Sequence, residues 1–264
     1  MSETIMQTDV NHGAVRQRAQ PHARHPLLKR LATRAMGMTG ADIERIVREA
    51  RLRARRERRQ VAYEDIEAGI RSHRPPPSPE RCWRVAVHET GHVLVHHVLA
   101  LGPIGGVTID SANGAFGRIG FESGRSDSRT WIEDVLAMFL GGRAAEMLVL
   151  GEATAGAGGM ADSDLARVTT LAFSLERTLG LGADLPLLYR PAHNETAVLD
   201  GDRMLATRVH AHLERAQERA TAIITANRPA FDAVATALAE AQALEGGEVV
   251  AMLESAGATP QSRP

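Results

Sequence analysis

Val87-His88-Glu89-Thr90-Gly91-His92 sets two histidines four residues apart with a glutamate beside the first. On an α-helix, residues four apart share a face, so both imidazoles could reach one ion. Zinc suits nitrogen ligands, and in catalytic sites it takes three protein ligands and leaves a position for water. The ion acidifies that water, and a neighbouring carboxylate can take its proton as it attacks a peptide carbonyl. The expected cofactor is therefore Zn2+, with His88 and His92 as metal ligands and Glu89 as catalytic base.

A third ligand must come from elsewhere. The longer zincin pattern, with a histidine three positions past a glycine, is excluded because Val95 and Val98 occupy those places. His96 continues the stripe of His92 one turn further along and reads as a packing or hydrogen-bonding residue. Three carboxylates remain, Glu146, Asp162 and Asp164, and by residue chemistry each could bind zinc.

These side chains need elements to position them. Ser78 and Pro79 fit the cap and first turn of a helix carrying Trp83, Val87, Leu94, Val95 and Leu99, and this helix holds the paired histidines. Beyond Pro103 the apolar residues Ile104, Val107 and Ile109 take period two. A Ser111-Ala112-Asn113-Gly114 turn and then Phe116, Ile119 and Phe121 follow, which predicts a small hairpin or edge strand. Beside a hydrolytic site, such an edge could bind an extended peptide through main-chain hydrogen bonds. Trp131 to Leu150 predicts a helix bearing Gly141-Gly142-Arg143-Ala144-Ala145-Glu146. A Gly/Ala-rich loop from Thr154 to Met160 leads into Asp162-Ser163-Asp164-Leu165 and another helix. A long amphipathic helix is expected from about Asp200 to Asn227, ended by Pro229. Two shorter helices follow, one from Phe231 and one after Gly246-Gly247.

Upstream, residues 1–25 are polar and predict a disordered tail. From Pro26 a small helical module is expected. Thr39-Gly40-Ala41-Asp42 starts a helix with Ile43, Ile46, Val47 and Ala50 at helical spacing, running to about Gln60, and a second carries Tyr63, Ile66 and Ile70. The arginine-rich far half of the first helix, from Arg45 to Arg59, reads as a solvated face rather than a nucleic-acid surface. Prolines at 75–77 and 79 act as a spacer, so a domain boundary is placed at 74–79.

Composition bounds the partners. The 264 residues are 44% hydrophobic and 24% charged with a net charge of −1, which suits a sizeable core and no general pull toward nucleic acid. Aromatic content of 3% leaves few platforms for bases. The single cysteine, Cys82, excludes a disulfide framework and a cysteine-based zinc site. Without an apolar signal core or a membrane-length apolar run, a cytoplasmic location with no membrane span in this chain is expected.

His88-Glu89-Thr90-Gly91-His92, Gly141 to Glu146 and Ser163-Asp164-Leu165, with Leu179-Gly180-Leu181-Gly182 and Leu187-Leu188-Tyr189 after them, occur in the order of the peptidase domain of FtsH-type AAA+ zinc proteases, which the sequence resembles. The region from Pro26 to Ile70 is similar to the helical lid that closes the family's ATPase domain. The resemblance implies a mainly α fold with a small β element, Asp164 as the third zinc ligand, and Glu146 as a supporting group nearby. It also implies a ring-forming homo-oligomer, commonly a hexamer, and association with AAA+ ATPase subunits. The sequence departs from the family in holding no glycine-rich phosphate loop with lysine; its one lysine, Lys29, lies outside any such loop. The loop before Asp164 is longer and richer in glycine than the family pattern.

The reading is a zinc metalloendopeptidase acting on unfolded or flexible polypeptides without a motor of its own. Its expected organisation is a tail at 1–25, a lid-like module at 26–73, a linker at 74–79 and a peptidase domain at 80–258. The alternative is a non-catalytic module that joins or regulates complete FtsH-type rings.

Overall fold

The computed structural model describes residues 28, 31, 32, 34, 35, 37–73, 78–111, 114–119 and 128–261. The expected tail at 1–25, most of the linker, the centre of the hairpin turn and Phe121 lie outside the described residues.

Helix α1 (Gly40–Arg56) starts at a capping box in which the Thr39 hydroxyl accepts the Asp42 N–H. Its buried stripe is Ile46, Ala50 and Ala54. Ile43, expected on that stripe, is exposed, because the faces of α1 and α2 (Tyr63–His73) meet through residues four apart beginning at Ile46. Gly69 permits the contact, since a Cβ there would lie 2.6 Å from the Ile46 Cγ2. The helix also stops short of Gln60. Arg58 takes a positive φ of 53°, and the Arg59 guanidinium grips both oxygens of Asp65 at 2.5 and 2.7 Å. The turn between the helices is thereby fixed.

The central element is α3 (Pro79–Val98), capped by the Ser78 hydroxyl with proline in its first turn. Val87, Val93, Leu94 and Val95 are completely buried on several sides, as expected of a helix surrounded by others. Its neighbours are α4 (Arg129–Leu150), α7 (Arg203–Ala226) and α8 (Arg228–Ala241). Between α4 and α7 in sequence come a 3-10 turn (Ala155–Ala157), α5 (Asp164–Arg177) and α6 (Glu195–Gly201). The long helix expected from about Asp200 starts at Arg203, where the Asp202 carboxylate accepts the Leu205 N–H and caps α7. Pro229 does not end α7; it sits in the first turn of α8, where a missing N–H costs nothing.

Among the described residues the sheet has three antiparallel strands in the order β2-β1-β3: β1 (Ile104–Ser111), β2 (Gly114–Ile119) and β3 (Ala243–Glu245). The third strand was not foreseen. It pairs Leu244 with Val107, so β1 is occupied on both sides and does not itself offer an edge. Helix α9 (Gly246–Ser255) follows directly. The chain end is tied to α3: the His97 Nε2–H donates to the Ala258 carbonyl at 3.1 Å, and the Gln261 N–H donates to the Val98 carbonyl at 2.8 Å. The fold is mainly α with a small antiparallel sheet. No helix among the described residues is long and apolar enough to cross a membrane.

Candidate metal centre

His88 and His92 stand one turn apart on α3, on the side that meets α4. The two helices approach closely because both carry glycine at the crossing. A Cβ on Gly141 would lie 2.6 Å from the Gly91 carbonyl oxygen. Asp164 enters from a third element. It is the first residue of α5, and that start is fixed by the Ser163 hydroxyl accepting the Ala166 N–H at 3.4 Å.

One atom from each residue converges. His88 Nε2 and His92 Nε2 are 3.0 Å apart, and an Asp164 carboxylate oxygen lies 3.2 Å from the first and 3.3 Å from the second. Both other ring nitrogens are committed. His88 Nδ1 is 2.9 Å from a Glu146 carboxylate oxygen, and His92 Nδ1 is 2.9 Å from the Met138 carbonyl. A carbonyl or ionised carboxylate only accepts, so each Nδ1 carries the hydrogen and each Nε2 of a neutral ring presents a lone pair. Two lone pairs and a carboxylate facing one another repel unless a cation or a proton stands between them.

The electrostatics express the same need. Burial opposes charge on His88, but the Asp164 and Glu146 carboxylates outweigh it and push the imidazole up to about 10. Burial would raise the Asp164 carboxyl, yet hydrogen bonds with His88 and His92 hold it far below the usual carboxylate range. The donor set, two imidazole nitrogens and a carboxylate oxygen about 3 Å apart, suits tetrahedral zinc with bonds of about 2.0–2.2 Å and room for one further ligand. Among the described residues, His88, His92 and Asp164 form the one cluster of this kind.

Of the other candidates, Asp162 is exposed and outside the cluster. Glu146 is buried one layer behind it, and its second oxygen accepts the Thr154 backbone N–H at 2.6 Å. Glu89 is largely buried beside the paired histidines; burial raises its carboxyl, and the charges of His92 and His88 partly offset this. His96 is buried, with Nε2 3.0 Å from the Gly102 carbonyl, and it stands outside the cluster. Three participants were missed in the sequence: the Met138 carbonyl, Thr154 and Gly142. A backbone carbonyl leaves no trace in residue type. Two adjacent glycines inside a helix do leave one, because glycine there is unfavourable without a packing reason.

Comparison with known proteins agrees with this architecture. The model of peptidase family M41 matches residues 77–252, and that of the AAA+ lid domain matches residues 27–68. The chain is 30% identical over 264 residues to the ATP-dependent zinc metalloprotease FtsH 2 of Sphaerobacter thermophilus, covering 95% of this chain and 40% of that protein. It is 33% identical over 253 residues to FtsH 3 of Symbiobacterium thermophilum, covering 86% and 40%. With FtsH of Thermotoga maritima it shares 30% over 260 residues, covering 89% and 42%. The chain therefore spans about 40% of the length of these curated relatives. With the family's model covering α3 through most of α9 and an AAA+ lid ahead of it, the chain belongs to peptidase family M41, the FtsH-type zinc metalloproteases.

Proposed function

We propose that the chain is a zinc-dependent metalloendopeptidase in which His88, His92 and Asp164 hold the ion and Glu89 is the catalytic base. The observation that carries this is the convergence of His88 Nε2, His92 Nε2 and an Asp164 carboxylate oxygen within 3.3 Å of one another, with both imidazoles aimed by a partner behind them. Zinc, when bound, supplies a Lewis acid that polarises a carbonyl and acidifies water. Glu89 takes a proton from the attacking water and returns it to the departing amine, so the peptide bond is replaced by an acid and an amine with no net proton change. Its burial favours this role by making the carboxylate a stronger base than one in water. Glu146 keeps His88 in the tautomer that leaves Nε2 bare, and Met138 does the same for His92.

Substrates are proposed to be unfolded or flexible polypeptides, because the reaction uses no nucleotide-driven step by these residues. The AAA+ lid match at residues 27–68, ahead of the peptidase match at 77–252, supports assembly with AAA+ ATPase subunits as a homo-oligomer. The test is digestion of an unfolded substrate such as casein with and without a chelator, by the native chain and by Glu89→Gln. Cleavage that is abolished by the chelator and by Glu89→Gln, with zinc content retained in that variant, is the expected result. Undiminished cleavage by a zinc-loaded Glu89→Gln protein would overturn Glu89 as base. No cleavage by the native zinc-loaded chain would favour the non-catalytic module.

A further inference from the structure

Gly141 and Gly142 sit side by side inside α4, and neither has the positive φ that would by itself demand glycine. What each would meet as alanine differs in kind. A Cβ on Gly141 would press on backbone, lying 2.6 Å from the Gly91 carbonyl oxygen, 2.9 Å from its carbon and 3.2 Å from the His92 nitrogen. A Cβ on Gly142 would press on the imidazole tips, lying 2.6 Å from His88 Cε1, from His88 Nε2 and from His92 Nε2. Ordinary contact between nonbonded carbons is about 3.5–4.0 Å, so the rings would have to retreat by roughly 1 Å. They are not free to do so. The His88 Nδ1–H is held by Glu146 and the His92 Nδ1–H by Met138, so retreat costs the bonds that aim both Nε2 atoms.

We infer that the two glycines divide the work: Gly141 permits the crossing of α3 and α4, and Gly142 is a positioning residue that keeps the space in front of both metal-facing nitrogens clear. The inference rests on the proposed metal centre and adds to it a residue with no donor atom. It explains why a helix buried in the core accepts two consecutive glycines, each unfavourable for a helix interior.

The test uses the full chain and Zn2+ as probe. Metal affinity is measured by competition with a chromophoric chelator, geometry by the visible spectrum of the Co2+-substituted protein, and stability by melting of the metal-free protein. Gly142→Ala should weaken zinc binding by about 10–100-fold, the range seen when the groups that orient ligands are removed, and should distort the tetrahedral Co2+ spectrum. Any fall in metal-free melting temperature that it causes should vanish in a His88→Ala/His92→Ala background, where the methyl has room and alanine favours the helix. Gly141→Ala should lower the metal-free melting temperature in both backgrounds. Zinc affinity within twofold of the native chain, or a Gly142→Ala melting loss that persists without the imidazoles, overturns the inference. If the native chain binds no zinc, the metal centre itself fails; binding that survives Gly142→Ala unchanged defeats only the role of Gly142.

Discussion

Glu146 is hydrogen-bonded at once to His88, through Nδ1 at 2.9 Å, and to the loop that leads to Asp164, through the Thr154 N–H at 2.6 Å and hydroxyl at 3.0 Å. One buried carboxylate therefore sets the tautomer of one proposed ligand and anchors the approach to another. In Glu146→Gln a single amide oxygen must serve His88 and the Thr154 N–H, while the amide NH2 confronts one of these donors. Zinc affinity should fall by about 10–100-fold. Thr154→Ser, which keeps both donors, should bind like the native chain, whereas Thr154→Val should fall between. Chelator competition measures all three.

Asp164→Asn should remove zinc binding more thoroughly than Glu146→Gln, because a neutral amide replaces the only anionic donor of the three. It should also remove the main attraction that raises His88 in the metal-free protein. NMR titration of His88 in the apo variant, compared with the native apo protein, checks this; an unchanged titration would contradict the role given to Asp164.

Acid and base should act on the two forms differently. His88 in the folded metal-free protein is raised from 6.5 to about 10, so its protonated, carboxylate-paired form contributes stability fully below about pH 6.5. That contribution fades as pH rises through about 10. Metal-free protein should thus lose stability between these limits. Zinc must displace the same proton, so apparent affinity should climb about tenfold per pH unit near pH 7–9, with about one proton released per ion. Calorimetry in buffers of different ionisation enthalpy counts the proton, and zero release would contradict the shared-proton account.

Phe173 is buried on α5, the helix that begins with Asp164. Phe173→Ala should cost about 3–5 kcal/mol of stability by denaturant unfolding. Excess zinc should restore part of that loss by mass action, in proportion to the logarithm of its concentration over Kd. Failure of zinc to raise the midpoint of either protein would argue against a site made only in the folded state.

The helices were legible where periodicity and caps coincided. Ser78-Pro79 announced α3, and Thr39-Gly40-Ala41-Asp42 announced α1, because a cap acts through residues adjacent in sequence. The pairing of His88 with His92 was legible for the same reason, one helical turn being a local distance. What escaped was non-local. Asp162, Asp164 and Glu146 were equal by residue chemistry alone, and family resemblance rather than spacing favoured Asp164; only the packing of α4 on α3, and of α5 on α4 and α7, separates them in space. β3 was missed because three residues, Ala243–Glu245, carry no readable alternation and take strand form from the partner they meet. The short helix α6 ahead of Asp202 was missed because its seven residues, Glu195–Gly201, span barely two helical turns.

The threonine of β1 and the carbonyl it grips, Thr108 and Gln242, are 134 positions apart, and His97 and the Ala258 carbonyl are 161 apart. On a ribosome, then, the histidine-bearing segment emerges long before the pieces that wall it in. Its oily flanks stay uncovered until α8, β3 and the strap beyond α9 have been translated, and such late closure slows folding and invites sticking to neighbours. Clipping the final residues back past Ala258 would leave a mature chain in a like predicament, with the end of α3 newly bare.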